Sequence, residues 1–252
     1  MDIEYLSRKN SHERDSHITF DEGPHIYTID GDSSFTSVTT WNHSHFSGFD
    51  SDKIIDRMMN SPNWPNSSYY GQTRQEIKDG WEKNRDEAAV AGTKMHYDIE
   101  CFYNNNKVEN NSIEYSYFMK FHNNNDLKPY RTEWMIYDKE LKLAGSIDMI
   151  YENEDGTLDI CDWKRSKKIK KHNSRCASTQ CIEHVPDINF WHYSLQLNTY
   201  KYLIEKNYGK KIRDMYLICL HPNNSSYIKY NISHLNQELE DLMELRKRLV
   251  SA

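Results

Sequence analysis

Two periodicities of apolar and polar positions alternate along the chain, and their changeovers mark its elements. Residues 132–138, 142–151 and 157–164 read as strands in antiparallel succession, and Glu154-Asp155-Gly156 between the last two reads as a hairpin turn. Residues 188–207 read as a helix that starts behind Pro186-Asp187 and stops at Tyr208-Gly209, where glycine is a usual cap. The apolar run from Asp214 to Leu220 reads as a further strand, ended by His221-Pro222. Leu235, Leu239, Leu242, Leu245 and Leu249 have the spacing of one helical face, which predicts an amphipathic helix over 235–250.

Upstream, residues 1–17 are polar, and the pattern from His25 to Thr40 predicts a hairpin turning at Asp30-Gly31. A helix is expected over 51–60 with Ser51 or Asp52 as cap, followed by a loop broken by Pro62 and Pro65. A short helix at 73–79 should lead into a longer one from Trp81 to Tyr103. The predicted core order is helix, three-stranded meander, helix, strand (αβββαβ), an α/β class. Residues 1–80 are read as an elaboration packed on a core of residues 81–252, in one domain overall. No internal repeat is visible.

Composition narrows the setting. A chain of 252 residues and 30.1 kDa can bury one large core. It has no apolar run of the length a membrane span needs, and Met1-Asp2-Ile3-Glu4 does not begin a secretory leader, so an intracellular setting is expected. Five scattered cysteines, an odd number, argue against a disulfide framework. His172, Cys176, Cys181 and His184 are residue types that can hold zinc, but their spacing matches no strong zinc pattern and the segment reads as an insertion loop. The net charge of −6 has an unexpected sign for a partner of nucleic acid. Its distribution matters more: residues 164–171 carry six basic positions in eight, and Lys167, Lys168, Lys170 and Lys171 can follow a phosphate backbone as it leaves Lys164.

The candidate chemistry lies in two adjacent strands. Asp148, in Gly145-Ser146-Ile147-Asp148-Met149-Ile150, and Asp162, in Cys161-Asp162-Trp163-Lys164, are acids inside apolar runs. Burial there lowers stability unless a cation or a donor compensates. Period two puts Asp162 and Lys164 on one face, and a hairpin partner can bring Asp148 beside them. Two carboxylates and a lysine so placed suit a divalent cation and a phosphodiester. On helices, His96 shares a face with Glu100, and Gln196 with Tyr200, each pair being four residues apart.

The order of these pieces adds a resemblance. Gly92-Thr93-Lys94-Met95-His96, then G-x-x-D at Gly145–Asp148, D-x-K at Asp162–Lys164 and Q-x-x-x-Y at Gln196–Tyr200 resemble the PD-(D/E)XK nuclease superfamily, in particular its RecB-type exonucleases, over residues 85–220. The S-V-T element at Ser37-Val38-Thr39, with a helix after it, resembles the N-terminal part of some phage and viral exonucleases more loosely. The resemblance implies a metal-dependent deoxyribonuclease of replication, repair or recombination that acts on DNA ends, single-stranded ones above all, and leaves a 5′-phosphate and a 3′-hydroxyl. It implies Mg²⁺ or Mn²⁺ held by His96, Asp148, Asp162 and the Trp163 carbonyl, and Lys164 orienting or deprotonating the attacking water. Gln196 and Tyr200 would lie beside the site and hold the strand. Glu100 would orient His96, stand on the phosphate side or be a surface residue, and Glu133 would serve the sheet edge or the site from behind. The four-cysteine iron–sulfur cluster of some relatives has no counterpart. The alternatives are an endonuclease on the same scaffold, an RNA endonuclease, and a catalytically silent nucleic-acid-binding module.

Overall fold

The computed structural model describes residues 2–251. A short helix α1 (Tyr5–Lys9) precedes a two-stranded antiparallel hairpin, β1 (Ile18–Asp21) with β2 (Ile26–Ile29). A two-residue strand β3 (Thr36–Ser37) runs straight into helix α2 (Val38–His43), capped by the Ser37 hydroxyl on the Thr40 N–H. The predicted hairpin over 25–40 is therefore corrected: β2 turns back on β1, and β3 leaves it to pair in parallel with a distant strand. The chain does turn at Asp30-Gly31, but only to an isolated bridge between Ile29 and Asp32.

Helices α3 (Ser51–Met59) and α4 (Arg74–Tyr103) follow. Asp50 caps α3, one residue ahead of the expected caps. The two helices predicted over 73–103 are one continuous α4. It is started by a capping box between Thr73 and Glu76, and the glycines inside it, Gly80 and Gly92, cost only about 1 kcal/mol each. Helix α5 (Ile113–Asn123), unpredicted, precedes the meander β4 (Pro129–Asp138), β5 (Leu143–Glu152) and β6 (Leu158–Lys164). Helix α6 (Asn189–Asn207) crosses over to β7 (Ile212–Cys219), which lies parallel to β6. An unpredicted edge strand β8 (Ile228–Asn231) and helix α7 (Asn236–Ser251) end the described chain.

The mixed sheet runs β3-β5-β6-β7-β8, with β4 also on β5. Helices α2, α6 and α7 pack on one face through residues such as Trp41, Leu195, Leu203 and Leu242, against Ile147, Ile160 and Leu217. The second half of α4 and helix α5 cover the other face, where Ile99 and Phe118 meet Met149, Trp163 and Ile218. This is the helix-flanked mixed sheet of the predicted α/β class.

Edge occupancy on β5 positions everything that follows. Strand β4 lies along one edge of β5. The other edge is shared: β3 pairs with Leu143 and Ala144, and β6 with Met149 to Glu152. Gly145 to Asp148 fall between these partners and have no strand on that edge. Face alternation also breaks here, because Ile147 packs in the α6-side core while Met149, two residues on, packs in the α4-side core.

Candidate active site

At this opening the side chain of Asp148 does the work of a strand. Its Oδ2 accepts the backbone N–H of Trp163 at 2.9 Å, just beyond the last β5–β6 pair. The Trp163 indole is buried edge-on to Phe118 and Phe121 of α5, which fixes its backbone. The Trp163 carbonyl lies 3.0 Å from His96 Nε2, and His96 Nδ1 lies 3.5 Å from Asp148 Oδ2. His96 reaches the sheet from α4 because its neighbours Met95 and Ile99 anchor that stretch of helix in the core.

Glu133 completes the group. The β4–β5 register, with Thr132 opposite Met149 and Trp134 opposite Ile147, sets Glu133 across from Asp148. Its φ of 42° is left-handed, a conformation that costs a non-glycine residue free energy and is concentrated at functional sites. Ser146, on the same face as Asp148, donates to Glu133 Oε2 at 2.9 Å. Ligand atoms of His96, Glu133 and Asp148 lie within 4.8 Å of one another, the arrangement a cation needs.

Asp162 and Lys164 form a second pair beside the first. Lys164 Nζ is 2.6 Å from Asp162 Oδ2 and 4.7 Å from the centre of the Tyr193 ring on α6. Asp162 is buried, and its Oδ2 has no aligned hydrogen bond to offset that burial. A buried carboxylate left to one ion-pair partner is costly.

Burial and mutual repulsion shift the carboxyls of this cluster. Burial, with the charge of Asp148 adding to it, pushes the Glu133 carboxyl up to about 8. Burial alone raises Glu100 to about 7. Burial raises Asp162 to about 6 even though Lys164 pulls it down. For Lys164, burial works against the charge, yet Asp162 and Asp148 outweigh it and hold the ammonium above its ordinary range. A divalent cation held by His96, Glu133 and Asp148 would relieve the like-charge repulsion that raises Glu133, so these residues fit such a group.

Of the residues singled out in the sequence, the structure sets His96 against Asp148 and the Trp163 carbonyl and pairs Asp162 with Lys164, while the group of candidate ligand atoms is His96, Glu133 and Asp148, without Asp162. Glu133 stands nearer the centre than its expected supporting place, while Asp162 faces Lys164. Glu100 lines, with His96, Glu133, Gly92 and Thr93, a cleft of about 520 Å³. Tyr200 is only 3% exposed, and Gln196 Nε2 donates to its hydroxyl at 3.2 Å. A Cβ on Gly145 would sit 2.8 Å from Tyr200 Cε1, so this glycine is what lets α6 close on the site. Lys167, Lys168, Lys170 and Lys171 are exposed, around a buried Ile169. Among the described residues, His172, Cys176, Cys181 and His184 form no metal-holding group, and His184 instead meets Glu238 at 3.1 Å. Ser146 and Tyr193 escaped the sequence reading. Ser146 lies two before Asp148 and Tyr193 three before Gln196, spacings that put each on the face of a residue already singled out.

Mixed sheet, split edge and carboxylate–lysine cluster together describe the scaffold of a metal-dependent phosphodiesterase. A family model described as the PD-(D/E)XK nuclease superfamily matches residues 71–251. The chain belongs to that superfamily, and membership implies a metal-dependent nuclease and a nucleic-acid substrate. No curated protein matches the chain. Among solved structures, SSO0001 is similar at 14% identity and a TM-score of 0.37, over 98% of this chain and 85% of its own. A Eubacterium rectale protein provisionally described as an exonuclease is similar at 12% identity and a TM-score of 0.34, over 86% of this chain and 79% of its own. No helix among the described residues is long and apolar enough to cross a membrane.

Proposed function

We propose that this protein is a metal-dependent DNA exonuclease of the RecB type, working from single-stranded ends in replication, repair or recombination. The observation that carries the hydrolytic chemistry is the meeting of His96, Glu133 and Asp148 within 4.8 Å, beside Lys164 paired to Asp162. His96, Asp148, Asp162 and the Trp163 carbonyl would hold Mg²⁺ or Mn²⁺, with Glu133 joining them. The cation would supply Lewis-acid polarisation of the phosphoryl group and a more acidic water.

The chain's own residues do the rest. Lys164, kept charged by Asp162 and Asp148, suits orienting the attacking water and opposing charge on the phosphorus better than taking a proton. Tyr193 beneath its ammonium limits where that charge can move. Asp148 and His96 grip the backbone N–H and the carbonyl of Trp163 and so hold the D-x-K strand in place. Glu100 and Ser146 support His96 and Glu133. Gln196 holds the hydroxyl of the buried Tyr200, and the exposed lysines after Lys164 guide the backbone.

Preference for a single strand rests on aromatic side chains outside the core. Trp64 and Tyr70 meet at 6.0 Å between ring centres and Tyr69 and Trp81 at 6.0 Å, with Tyr70 exposed. Bases stack on such rings whatever their sequence. The test is digestion of end-labelled single- and double-stranded DNA, linear against circular, with Mg²⁺ or Mn²⁺. Rapid cutting of closed circular single strands would replace the exonuclease by an endonuclease on the same scaffold. Equal rates on blunt duplex and single strand would remove the strand preference alone.

A further inference from the structure

A second cleft, of about 420 Å³, opens between α3 and the N-terminal end of α6, and the nuclease chemistry makes no use of it. Phe49, Lys53, Arg57, Arg175, Asp187 and His192 line it. We propose that this cleft is a nucleotide subsite, holding one unit of the single strand away from the scissile phosphate. The proposal rests on the nucleic-acid reading of the site above.

Three observations carry it. Arg57 and Arg175 come from distant parts of the chain, are exposed, and have no ion-pair partner among the described residues, although both face one cleft. Planar guanidinium groups left free in a concavity suit a phosphodiester. Lys53 adds a third cation but is engaged with Asp50 at 3.0 Å.

Next to the arginines lies an unmet acceptor. Asp187 is buried, with Oδ1 3.0 Å from His192 Nε2, while its Oδ2 has no hydrogen-bond partner. A bare phosphate has no donor to offer that oxygen and is repelled by it. A nucleobase offers ring N–H or amino groups to the carboxylate on that wall, so a whole nucleotide suits both halves of the cleft better than a phosphate alone. Phe49 supplies the remaining surface: it is 75% exposed, an unusual position for phenylalanine, and is braced by Trp81 at 5.7 Å between ring centres.

The chain links the cleft to the site. His192 in the cleft adjoins Tyr193, the ring under Lys164. The lysine-rich segment runs from Lys164 along the start of α6, tied there by Lys170 N–H to Asn189 Oδ1 at 3.0 Å and Trp191 Nε1 to the Lys171 carbonyl at 3.0 Å. It arrives at Arg175, whose carbonyl accepts the Asp187 N–H at 2.8 Å. A strand following these cations from the metal cluster enters the cleft.

The test is fluorescence anisotropy of the full chain with a labelled single strand of about 12 nucleotides, in EDTA so that nothing is cut. Arg57→Ala with Arg175→Ala should weaken binding about tenfold and reduce the slope of log affinity against log salt by about 1.4, the share of two phosphate contacts on a single strand. Phe49→Ala should weaken binding about tenfold with the slope unchanged, because stacking releases no counterions. Circular dichroism and melting of each variant separate this from misfolding; the substituted residues are exposed. Folded variants that bind like wild type would overturn the subsite, even if wild type cuts DNA. A wild type that binds through these residues and never cuts with any divalent metal would overturn the nuclease reading and leave the subsite standing.

Discussion

Asp148 and Trp163 are joined by a hydrogen bond of 2.9 Å from the Trp163 N–H to the Asp148 carboxylate, where β5 and β6 have stopped pairing. A side chain thus substitutes for a ladder bond, and the acid cluster occupies the opening. The left-handed Glu133 sits across from this point on β4.

Gly145 is the narrowest point behind that opening. A Cβ there would lie 2.8 Å from Tyr200 Cε1 and 3.3 Å from Val38 Cβ. Gly145→Ala should therefore destabilise the fold by about 1–3 kcal/mol, the usual cost of overpacking, and Tyr200→Leu in the same chain should recover part of it. Urea denaturation of the two variants checks this; an alanine variant as stable as wild type contradicts the close approach.

Metal affinity should depend on Glu133 as well as on His96. His96→Ala and Glu133→Gln are each expected to weaken Mn²⁺ binding about tenfold or more, measured by calorimetry. One imidazole among oxygen ligands favours Mn²⁺ over Mg²⁺, so His96→Ala should narrow the difference in activity between the two metals. An unchanged titration for Glu133→Gln would return that residue to a purely structural place at the strand.

Stability without metal should fall as pH rises. Glu133 at about 8, Glu100 at about 7 and Asp162 at about 6 all lie above their ordinary values, so the folded chain holds protons that the unfolded chain has released. Their contribution is therefore favourable in acid and is lost as pH climbs from the ordinary carboxylate range through those values. Melting temperatures in EDTA at about pH 5 and about pH 8 should show the decline, Glu133→Gln should flatten it, and Mn²⁺ at the higher pH should reverse it. Stability rising across that window would mean the cluster carries no excess of negative charge.

Neutralising Lys167, Lys168, Lys170 and Lys171 together should weaken single-strand binding at low salt and lower the salt slope by up to about 3. The four side chains are exposed, so the fold should tolerate the change. An unaltered slope would show that these lysines contact no phosphate.

The core strands and α6 were legible because each stretch carries its own period and its own stop signal, such as Gly156 or Gly209. Strand β3 was not, because two residues paired to Leu143 and Ala144 leave no local pattern. Likewise α4 reads as two helices at Gly80, although its capping box at Thr73 and Glu76 sets the start of one. Within the site, Asp148, Asp162 and Lys164 stood out as charges in apolar strands. The weight of Glu133 depends on a cross-strand register and a left-handed backbone, neither of which is written in its neighbours.

The most direct measurement of the central claim is the rate at which wild type, Asp162→Asn and Lys164→Ala degrade end-labelled linear single-stranded DNA with Mn²⁺ and with EDTA. Wild type should cut only with the metal. Both variants should fold and bind the strand yet lose on the order of 100-fold or more in rate, as expected when one preorganised charge is removed. A purified, folded Lys164→Ala that turns over near the wild-type rate, or wild-type cutting that persists in EDTA, would contradict the assignment.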